Sequence, residues 1–430
     1  MSRSSTTTAS RSARTAAPGW FDRLARAAVH ARLRGLRQGR LTIIEGDAPL
    51  TFGAPSASAS HCATITILDP SCYGDIAFGG SIGAGETYML GLWLCDNLTA
   101  LVRIFVANRN VMDEMETGLA RLTAPLRKLG HWVNRNTKSG SRRNIAAHYD
   151  LGNDFFSLVL DDTMMYSCAI FERPDIPLRD ASIAKNDLIC RKLDLLPTDH
   201  LLEIGTGWGG FAIHAAARYG CRVTTTTISQ QQYDLAVRRI AEAGLSDRIT
   251  VIQRDYRDLR GLGLQFDKIV SIEMIEAVGH AYYDTYFACC SDLLKPDGRV
   301  LIQAITIDDR QYDRARRSVD FIQRFIFPGS CIPSVTALCQ SMARASELRL
   351  FGLEDIGAHY PPTLRGWRAH LVANTARLRE LGYSDAFIRL WEFYLCYCEG
   401  GFLERAISDV HLVLTKPLAR PIHNTCRVTC

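Results

Sequence analysis

The ten residues Leu201–Gly210, LLEIGTGWGG, decide the fold. An apolar run of strand length ends at Gly205, a glycine-rich turn follows, and a helical pattern begins at Phe211. Glycines at a strand-to-helix turn let a ligand approach the backbone amides at the N-terminus of the helix. The segment therefore predicts an α/β sheet with a ligand site at the carboxyl end of this strand.

The spacing of the glycines indicates which nucleotide the turn binds. It reads G-x-G-x-G-G from Gly205, whereas a dinucleotide fold has G-x-G-x-x-G and an acid about 20 residues further on. That region, residues 224–229, reads TTTTIS, so NAD is disfavoured. Glu203 at the end of the strand suits a cationic ligand with an amine, such as S-adenosylmethionine (SAM). With Asp255 after the third strand and LKPDG at 294–298, the pattern is that of a class I SAM-dependent methyltransferase.

Apolar strands and helices alternate on both sides of this segment, which predicts a doubly wound seven-stranded α/β sheet. A helical lid-like insertion is expected at about 308–350, and an aromatic helical stretch at Trp367–Phe402. The predicted strands are 201–205, 222–228, 249–253, 268–272, 299–304, 351–357 and 409–415.

The N-terminal part predicts a separate small α+β domain. Trp20–Arg37 has helical periodicity, with basic residues on one face and apolar residues opposite, which suits an anionic membrane surface; packing of the apolar face on the next domain is an equal alternative. Residues 79–85, GGSIGAG, are expected to form glycine-rich turns. The basic face comprises Arg23, Arg26, His30, Arg34 and Arg37, and the apolar face Phe21, Leu24, Ala25, Ala28, Val29, Leu33 and Leu36.

These patterns divide the chain into five parts. An Arg/Ser-rich start without acids predicts a disordered tail, although it also resembles an organelle transit peptide. The expected parts are a tail at 1–18, the amphipathic helix and lipid-facing domain at 19–120, a basic linker at 121–143, the catalytic domain at 144–417 and a C-terminal tail at 418–430.

Composition and charge exclude several classes. The 430 residues are 47% hydrophobic and 22% charged, which is typical of a globular protein and not of a disordered, collagenous or coiled-coil chain. The net charge is +5, but residues 1–40 contain nine arginines and only one acid, which favours an anionic surface over nucleic acid. Fourteen cysteines without metal-ligand spacing predict reduced thiols and no metal site. The apolar stretch Tyr88–Ala107 is interrupted by polar and charged residues, so no bilayer span is expected.

Eight motifs in order, from about residue 144 to 417, resemble the cyclopropane-fatty-acyl-phospholipid synthase family. They are AHYDLGNDFF at 147–156, MYSCA at 165–169, EIGTGWGG at 203–210, T-I-S-x-x-Q at 227–232, SIEMIE at 271–276, F-P-x-x-C-I-P-S at 327–334, G-A-x-Y at 357–360 and CEGGF at 398–402.

The resemblance implies that a cis alkene in a lipid attacks the methyl group of SAM, and that proton loss from the resulting carbocation closes a cyclopropane. It also implies a bound bicarbonate as proton acceptor, oriented by Glu276. Cys168 and Ile305 would contribute largely through backbone, and Tyr360 through its hydroxyl. Gln303 stands where the family has His. Because Gln cannot be a cation or a general base, this leaves room for an anion site but weakens it, and it keeps open a sister reaction that gives a methyl- or methylene-branched chain.

The same resemblance assigns the cofactor contacts. Cys398 is interpreted as a packed or substrate-lining thiol, since no base that would activate it is evident, and Glu273 as a structural or helix-capping residue. The residues expected around SAM are Tyr166, Ser167, Glu203, Gly205, Gly207, Gly209, Thr227, Gln232, Tyr256 and Arg257.

The predicted function is SAM-dependent modification of unsaturated acyl chains on phospholipid, at the inner face of the cytoplasmic membrane. The expected partners are the phospholipid and an anionic membrane surface, with a homodimer left open and no nucleic acid. Two further alternatives are a non-catalytic lipid-binding protein and a small-molecule methyltransferase. The intact glycine loop and Glu276 argue against the former, and the basic front and aromatic C-terminal stretch against the latter.

Overall fold

The computed structural model describes residues 20–54, 58–111, 113 and 152–420. The predicted tail at 1–18, the basic linker at 121–143 and the first half of the 147–156 motif lie outside these residues. The division into domains therefore stays a prediction at those boundaries.

The N-terminal unit is a four-stranded sheet covered by helices. Its strand order is β2-β1-β3-β4, in which β1 and β3 are parallel and the two outer pairs are antiparallel. The elements are α1 (Trp20–Leu33), β1 (Arg40–Glu45), β2 (Ala48–Gly53), β3 (Cys62–Ile67), α2 (Cys72–Met89), β4 (Trp93–Cys95) and α3 (Leu98–Ala107).

Helix α1 differs from its prediction in length and in its faces. It ends at Leu33 instead of Arg37. His30, predicted on the basic face, is buried with its ring nitrogen 3.3 Å from the Tyr73 hydroxyl, whereas Leu24, predicted on the apolar face, is 61% exposed. The buried stripe is displaced around the helix relative to the predicted one, so the His30 ring enters the core while Leu24 and Ala28 are left in solvent.

The predicted glycine-rich turns at 79–85 are wrong, because these residues lie inside α2. The helix is kinked at Gly80, and a Cβ atom at Gly85 would lie 2.3 Å from the ring of Phe321. Glycine therefore allows close packing between α2 and the lid. From the sequence alone, a glycine required for packing looks the same as a glycine required for a turn.

The second unit confirms the predicted fold class, an α/β fold with a seven-stranded sheet. Its order is β10-β11-β9-β8-β5-β6-β7, and only β11 runs antiparallel to its neighbours. All seven predicted strands are present: β5 (His200–Ile204), β6 (Arg222–Thr227), β7 (Ile249–Gln253), β8 (Phe266–Ile272), β9 (Leu294–Ile307), β10 (Arg349–Asp355) and β11 (Ile407–Thr415).

Helices cover both faces of this sheet and form the insertion after β9. The insertion has three helices, and the aromatic stretch near the C-terminus has three more. The helices are α4 (Asn153–Val159), α5 (Leu178–Leu193), α6 (Gly210–Tyr219), α7 (Gln230–Glu242), α8 (Tyr283–Leu293), α9 (Asp309–Ala315), α10 (Phe321–Phe325), α11 (Val335–Ala345), α12 (Tyr360–Ala373), α13 (Thr375–Glu380) and α14 (Asp385–Leu403).

The two units pack against each other along α14. Its partners are α2 and α3 of the N-terminal unit, and the Thr99 hydroxyl donates a 2.8 Å hydrogen bond to the buried carboxylate of Glu399. No helix among the described residues is both long enough and apolar enough to cross a membrane. Because α2 and α3 pack against α14, the N-terminal unit forms part of the wall of the space between α14 and the sheet.

Candidate active site

A cavity of about 1180 Å³ runs from the glycine turn after β5 to the N-terminal unit. One end is lined by the carboxyl ends of the parallel strands and the other by α2, α3, the lid helices and α14. Aromatic and aliphatic side chains dominate the wall between these ends, so the space suits a long apolar substrate beside a nucleotide. The apolar wall includes Ala84, Trp93, Leu101, Phe105, Ile322, Phe327, Leu364, Phe393, Tyr394 and Phe402.

The glycine turn has the backbone conformation that its sequence requires. Gly205 and Gly207 have φ angles of +102° and +51°, which side chains with a Cβ atom rarely adopt. A Cβ atom at Gly207 would meet no protein atom within 4 Å. The position therefore requires glycine because of its positive φ angle and not because of crowding, and the space beside it is open to a ligand. Burial raises the pKa of Glu203 to about 8, and a cationic amine bound next to it would favour the ionised form.

The other predicted cofactor residues surround the same end of the cavity. The Thr227 hydroxyl donates to Gln232 Oε1 at 2.9 Å. Arg257 pairs with the Asp255 carboxylate at 2.5 Å, and the Tyr256 hydroxyl is buried without a hydrogen-bond partner in the described part of the chain. Open space at the glycine turn and an unsatisfied hydroxyl fit a bound nucleoside, so these residues fit SAM. Nine of the ten predicted residues line the cavity, and Gly209 instead closes the turn behind it.

The predicted catalytic residues separate into two groups. Glu276, Ile305, Tyr360 and Cys398 line the cavity, while Cys168 and Gln303 are completely buried behind it. Their roles in the reaction stay predictions. The separation nevertheless shows that Cys168 and Gln303 can act on the cavity only through groups that they contact.

The thiols of the two cysteines are unsuited to nucleophilic attack. Burial raises the pKa of Cys168 and of Cys398 well above the usual value, and a buried apolar thiol is inert. Cys168 faces the site through its backbone N–H. This agrees with the interpretation of both as non-nucleophilic residues.

Glu273 collects the hydrogen-bond donors that the family resemblance gives to a bicarbonate ion. The Cys168 N–H donates to Glu273 Oε1 at 2.7 Å, Gln303 Nε2 donates to the same oxygen at 2.8 Å, and the Tyr360 hydroxyl donates to Oε2 at 2.7 Å. The remaining donor, the Ile305 N–H, donates to Glu276 Oε1 at 2.5 Å. Every expected donor is thus engaged by a carboxylate of the protein itself, so these residues do not fit a separate bicarbonate ion.

Two further ionisable residues complete this buried network. Asp409 accepts a 2.8 Å hydrogen bond from Gln303 Nε2, and burial together with the nearby Glu273 charge raises its pKa well above the usual value. Lys185 donates to the Ser167 hydroxyl at 2.9 Å, and burial lowers its pKa to about 8. Burial, followed by the charge of Glu273, also raises the pKa of Glu276 to about 8. With a pKa of about 8, the carboxyl of Glu276 is mostly protonated in the free protein at neutral pH.

Sequence reasoning missed Glu273, Asp409 and Lys185 as members of the site. Asp409 had one detectable signal, since it is an acid inside the apolar strand β11, next but one to His411. Lys185 lies on the apolar face of an otherwise ordinary helix. Glu273 was visible in the SIEMIE motif, but its partners come from three distant parts of the chain.

Comparisons with known proteins agree on one family. Residues 136–412 match the family described as mycolic acid cyclopropane synthetase. Tuberculostearic acid methyltransferase UfaA1 of Mycobacterium tuberculosis is 38% identical over 330 residues, which cover 75% of this chain and 76% of that protein. Cyclopropane-fatty-acyl-phospholipid synthase of Escherichia coli K12 is 37% identical over 382 residues, which cover 86% of this chain and 91% of that protein.

Solved structures support the same assignment. The crystal structure of mycolic acid cyclopropane synthase CmaA1, in complex with SAH and CTAB, superposes with a TM-score of 0.59 at 32% identity. The match covers 64% of this chain and 98% of CmaA1. On the family match, the two relatives and the seven-stranded fold together, the chain belongs to the mycolic acid cyclopropane synthetase family of class I SAM-dependent methyltransferases.

Proposed function

We propose that the protein converts the cis double bond of an unsaturated phospholipid acyl chain into a cyclopropane, with SAM as the donor of the added carbon. The observation that carries this proposal is the continuous cavity, which joins a nucleotide turn to an apolar space long enough to involve both units of the chain. A small-molecule methyltransferase has no need of such a space, and a lipid carrier has no need of the glycine turn.

The residues around the cavity suit an alkene as nucleophile. An alkene is weakly nucleophilic and is not activated by deprotonation, so the protein has to align it and exclude water. Positive charge that develops on the acyl chain is stabilised by aromatic faces and by carboxylates. Tyr166 and Tyr394, whose hydroxyl oxygens are 2.9 Å apart, supply the aromatic faces. Glu273 supplies a carboxylate, and Glu276 does so in the fraction of the protein in which it is ionised.

Methyl or methylene branching of the same double bond is the second candidate. It is supported by the similarity to the tuberculostearic acid methyltransferase and by Gln303 in the place of the family's His. Both reactions begin with the same C–C bond formation. Loss of a chain proton from the carbocation then gives a methyl-branched alkene, and a hydride shift followed by loss of a methyl proton gives a methylene group on the chain.

Product analysis tests the proposed function. The purified protein is incubated with SAM and vesicles of monounsaturated phosphatidylglycerol, and the fatty acids are then analysed by NMR, since ring and methylene products have the same mass. Cyclopropane protons are expected. Methyl or vinylidene signals would establish the second candidate, and unaltered lipid would contradict both.

We further propose that the protein acts as a peripheral protein on the inner face of the cytoplasmic membrane, with α1 and the residues that follow it, 20–37, toward anionic lipid. Three arginines of this segment are exposed in the structure and available to lipid phosphates, and each such charge near an anionic surface adds about 1 kcal/mol of binding free energy. They are Arg23, Arg34 and Arg37.

Replacing these three arginines by Gln is expected to weaken binding to anionic vesicles at least about tenfold at low salt. The difference should disappear at high salt, because the contribution is screened. Vesicle co-sedimentation across a salt series measures both effects. The control replaces three exposed arginines of the catalytic unit by Gln. If the control loses as much vesicle binding as the N-terminal variant, the effect is one of net charge and not of the N-terminal segment. The control positions are Arg218, Arg222 and Arg238.

A further inference from the structure

The contacts of Glu273 reproduce the surroundings expected for an anionic proton acceptor. Two donors converge on one oxygen and one on the other, at 2.7–2.8 Å. They come from the backbone of Cys168 in the loop before α5, from strand β9 and from helix α12, so three separate parts of the chain hold the carboxylate. The residue also lines the cavity in which the acyl chain would react.

The backbone at Glu273 is held in an unusual conformation. Its φ angle is +46°, in the left-handed region, which costs a residue with a Cβ atom roughly 1–2 kcal/mol. The residue follows β8 directly, and its N–H donates to the Gln303 carbonyl at 2.9 Å. Strain of this kind is characteristic of functional sites, where the surrounding structure fixes a side chain in one place.

The partners of Gln303 orient its amide toward Glu273. Lys192 Nζ lies 2.7 Å from His411 Nδ1, and His411 Nε2 lies 3.2 Å from Gln303 Oε1. Because an ammonium group only donates, Nδ1 accepts and Nε2 carries the hydrogen that binds the amide oxygen. Gln303 Nε2 is then left to donate to Glu273 and Asp409. The amide is neutral, so it holds the carboxylate and leaves its negative charge intact. A protonated histidine at this position would neutralise that charge.

Charge balance in the cluster also disfavours an additional anion. Glu273, Glu276 and Asp409 are close enough to influence one another's pKa values, and the ammonium of Lys185 interacts with both Glu273 and Asp409. A bicarbonate ion placed beside these groups would meet negative charge and find its donors already engaged. Glu273, with three donors, is the carboxyl of the three whose negative charge is best stabilised by hydrogen bonds.

We propose that the carboxylate of Glu273 takes the place of bicarbonate and itself accepts the proton lost in ring closure. This inference rests on the proposed function. The alkene carbon bonds to the methyl carbon of SAM as the C–S bond breaks, which leaves a neutral thioether and a carbocation on the acyl chain. A C–H bond of the transferred methyl group then breaks, its electron pair closes the ring, and the proton is taken up by a Glu273 oxygen. Release of that proton to water restores the carboxylate.

Bicarbonate dependence tests the proposal in the wild-type enzyme. Methyl transfer to monounsaturated phosphatidylglycerol vesicles is measured in buffers freed of carbon dioxide, with and without millimolar bicarbonate. The two rates are expected to agree within about twofold, because the base is part of the chain. A rate that collapses without bicarbonate and returns on its addition would overturn the proposal. No product under either condition would instead contradict the proposed function.

Two variants of Glu273 extend the test. Glu273→Gln is expected to lower turnover by about 10²–10⁴-fold, the range for loss of a general base, with SAM binding by calorimetry unchanged. Glu273→Gly relieves the strained φ angle and vacates the donors, so added bicarbonate or formate should restore its rate at least about tenfold. The control is Glu242→Gln on the exposed end of α7. Full activity of Glu273→Gln, or no rescue of a Glu273→Gly protein that binds SAM, would refute the assignment.

Discussion

The Glu276→Gln variant is expected to lose about two to three orders of magnitude in kcat while binding SAM as tightly as the wild-type protein. Glu276 lines the cavity and accepts a hydrogen bond from the Ile305 N–H at one oxygen, but its second oxygen has no hydrogen-bond partner among the described residues. A carboxylate with an open oxygen can stabilise the positive charge that develops on the acyl chain, and an amide cannot. Stopped assays at saturating SAM, with calorimetry for SAM affinity, measure the two quantities.

The pH profile gives this prediction a second readout. Because burial and the charge of Glu273 raise the pKa of Glu276 to about 8, its ionised fraction in the free enzyme increases about tenfold per pH unit below 8. The wild-type kcat/KM should rise with pH in the same way and level off above 8, and Glu276→Gln should lack this step. The Glu242→Gln control should keep it. A variant with the wild-type rate would remove Glu276 from the mechanism, and one that loses SAM binding would move it into the cofactor site.

The Trp391→Ala variant is expected to lower the free energy of unfolding by about 3–5 kcal/mol. Trp391 is 1% exposed, and its ring centroid lies 4.5 Å from that of Phe155 and 5.3 Å from that of Tyr394. The substitution leaves a cavity between α4 and α14 that rigid helices cannot close. Urea denaturation followed by circular dichroism measures the loss.

Two controls define the cause of that loss. Trp391→Phe keeps much of the ring volume and should recover at least half of the stability. Trp20→Ala removes an indole that is 69% exposed and should change the stability by less than about 1 kcal/mol. If Trp391→Ala loses no more than Trp20→Ala, the aromatic cluster does not stabilise the fold as its packing indicates.

The sheet could be predicted from the sequence because its signals are local. Seven apolar runs of strand length, separated by helical patterns, specify an alternating α/β chain, and the run TTTT in β6 excluded the acid of a dinucleotide fold. The glycine turn likewise carries its own backbone requirement. Helix α2 was predicted wrongly because its signal is not local. The stretch GGSIGAG has the composition of a turn, and the reason for its glycines is the close packing of α2 against Phe321.

The site was predicted less completely because its defining contacts are long-range. Residues Cys168, Gln303 and Tyr360 were identified one by one from motifs, but no motif shows that their donors meet at Glu273. That convergence depends on the register of β8 beside β9 and on the position of α12. A second acid three residues before a predicted catalytic acid has no distinctive pattern in sequence, whereas a carboxylate with three donors is distinctive in the structure.

The apolar wall of the cavity determines what can discriminate between lipids. Moving a methylene group out of water gains about 0.8 kcal/mol. An acyl chain that enters this cavity comes from the bilayer, which is already apolar, so each carbon gains almost nothing on transfer from bilayer to cavity. Extra chain length therefore adds little affinity. Selection among membrane lipids then has to come from the polar head, which the lid arginines Arg310, Arg314 and Arg317 at the cavity wall can contact, and from how far along the chain the double bond lies.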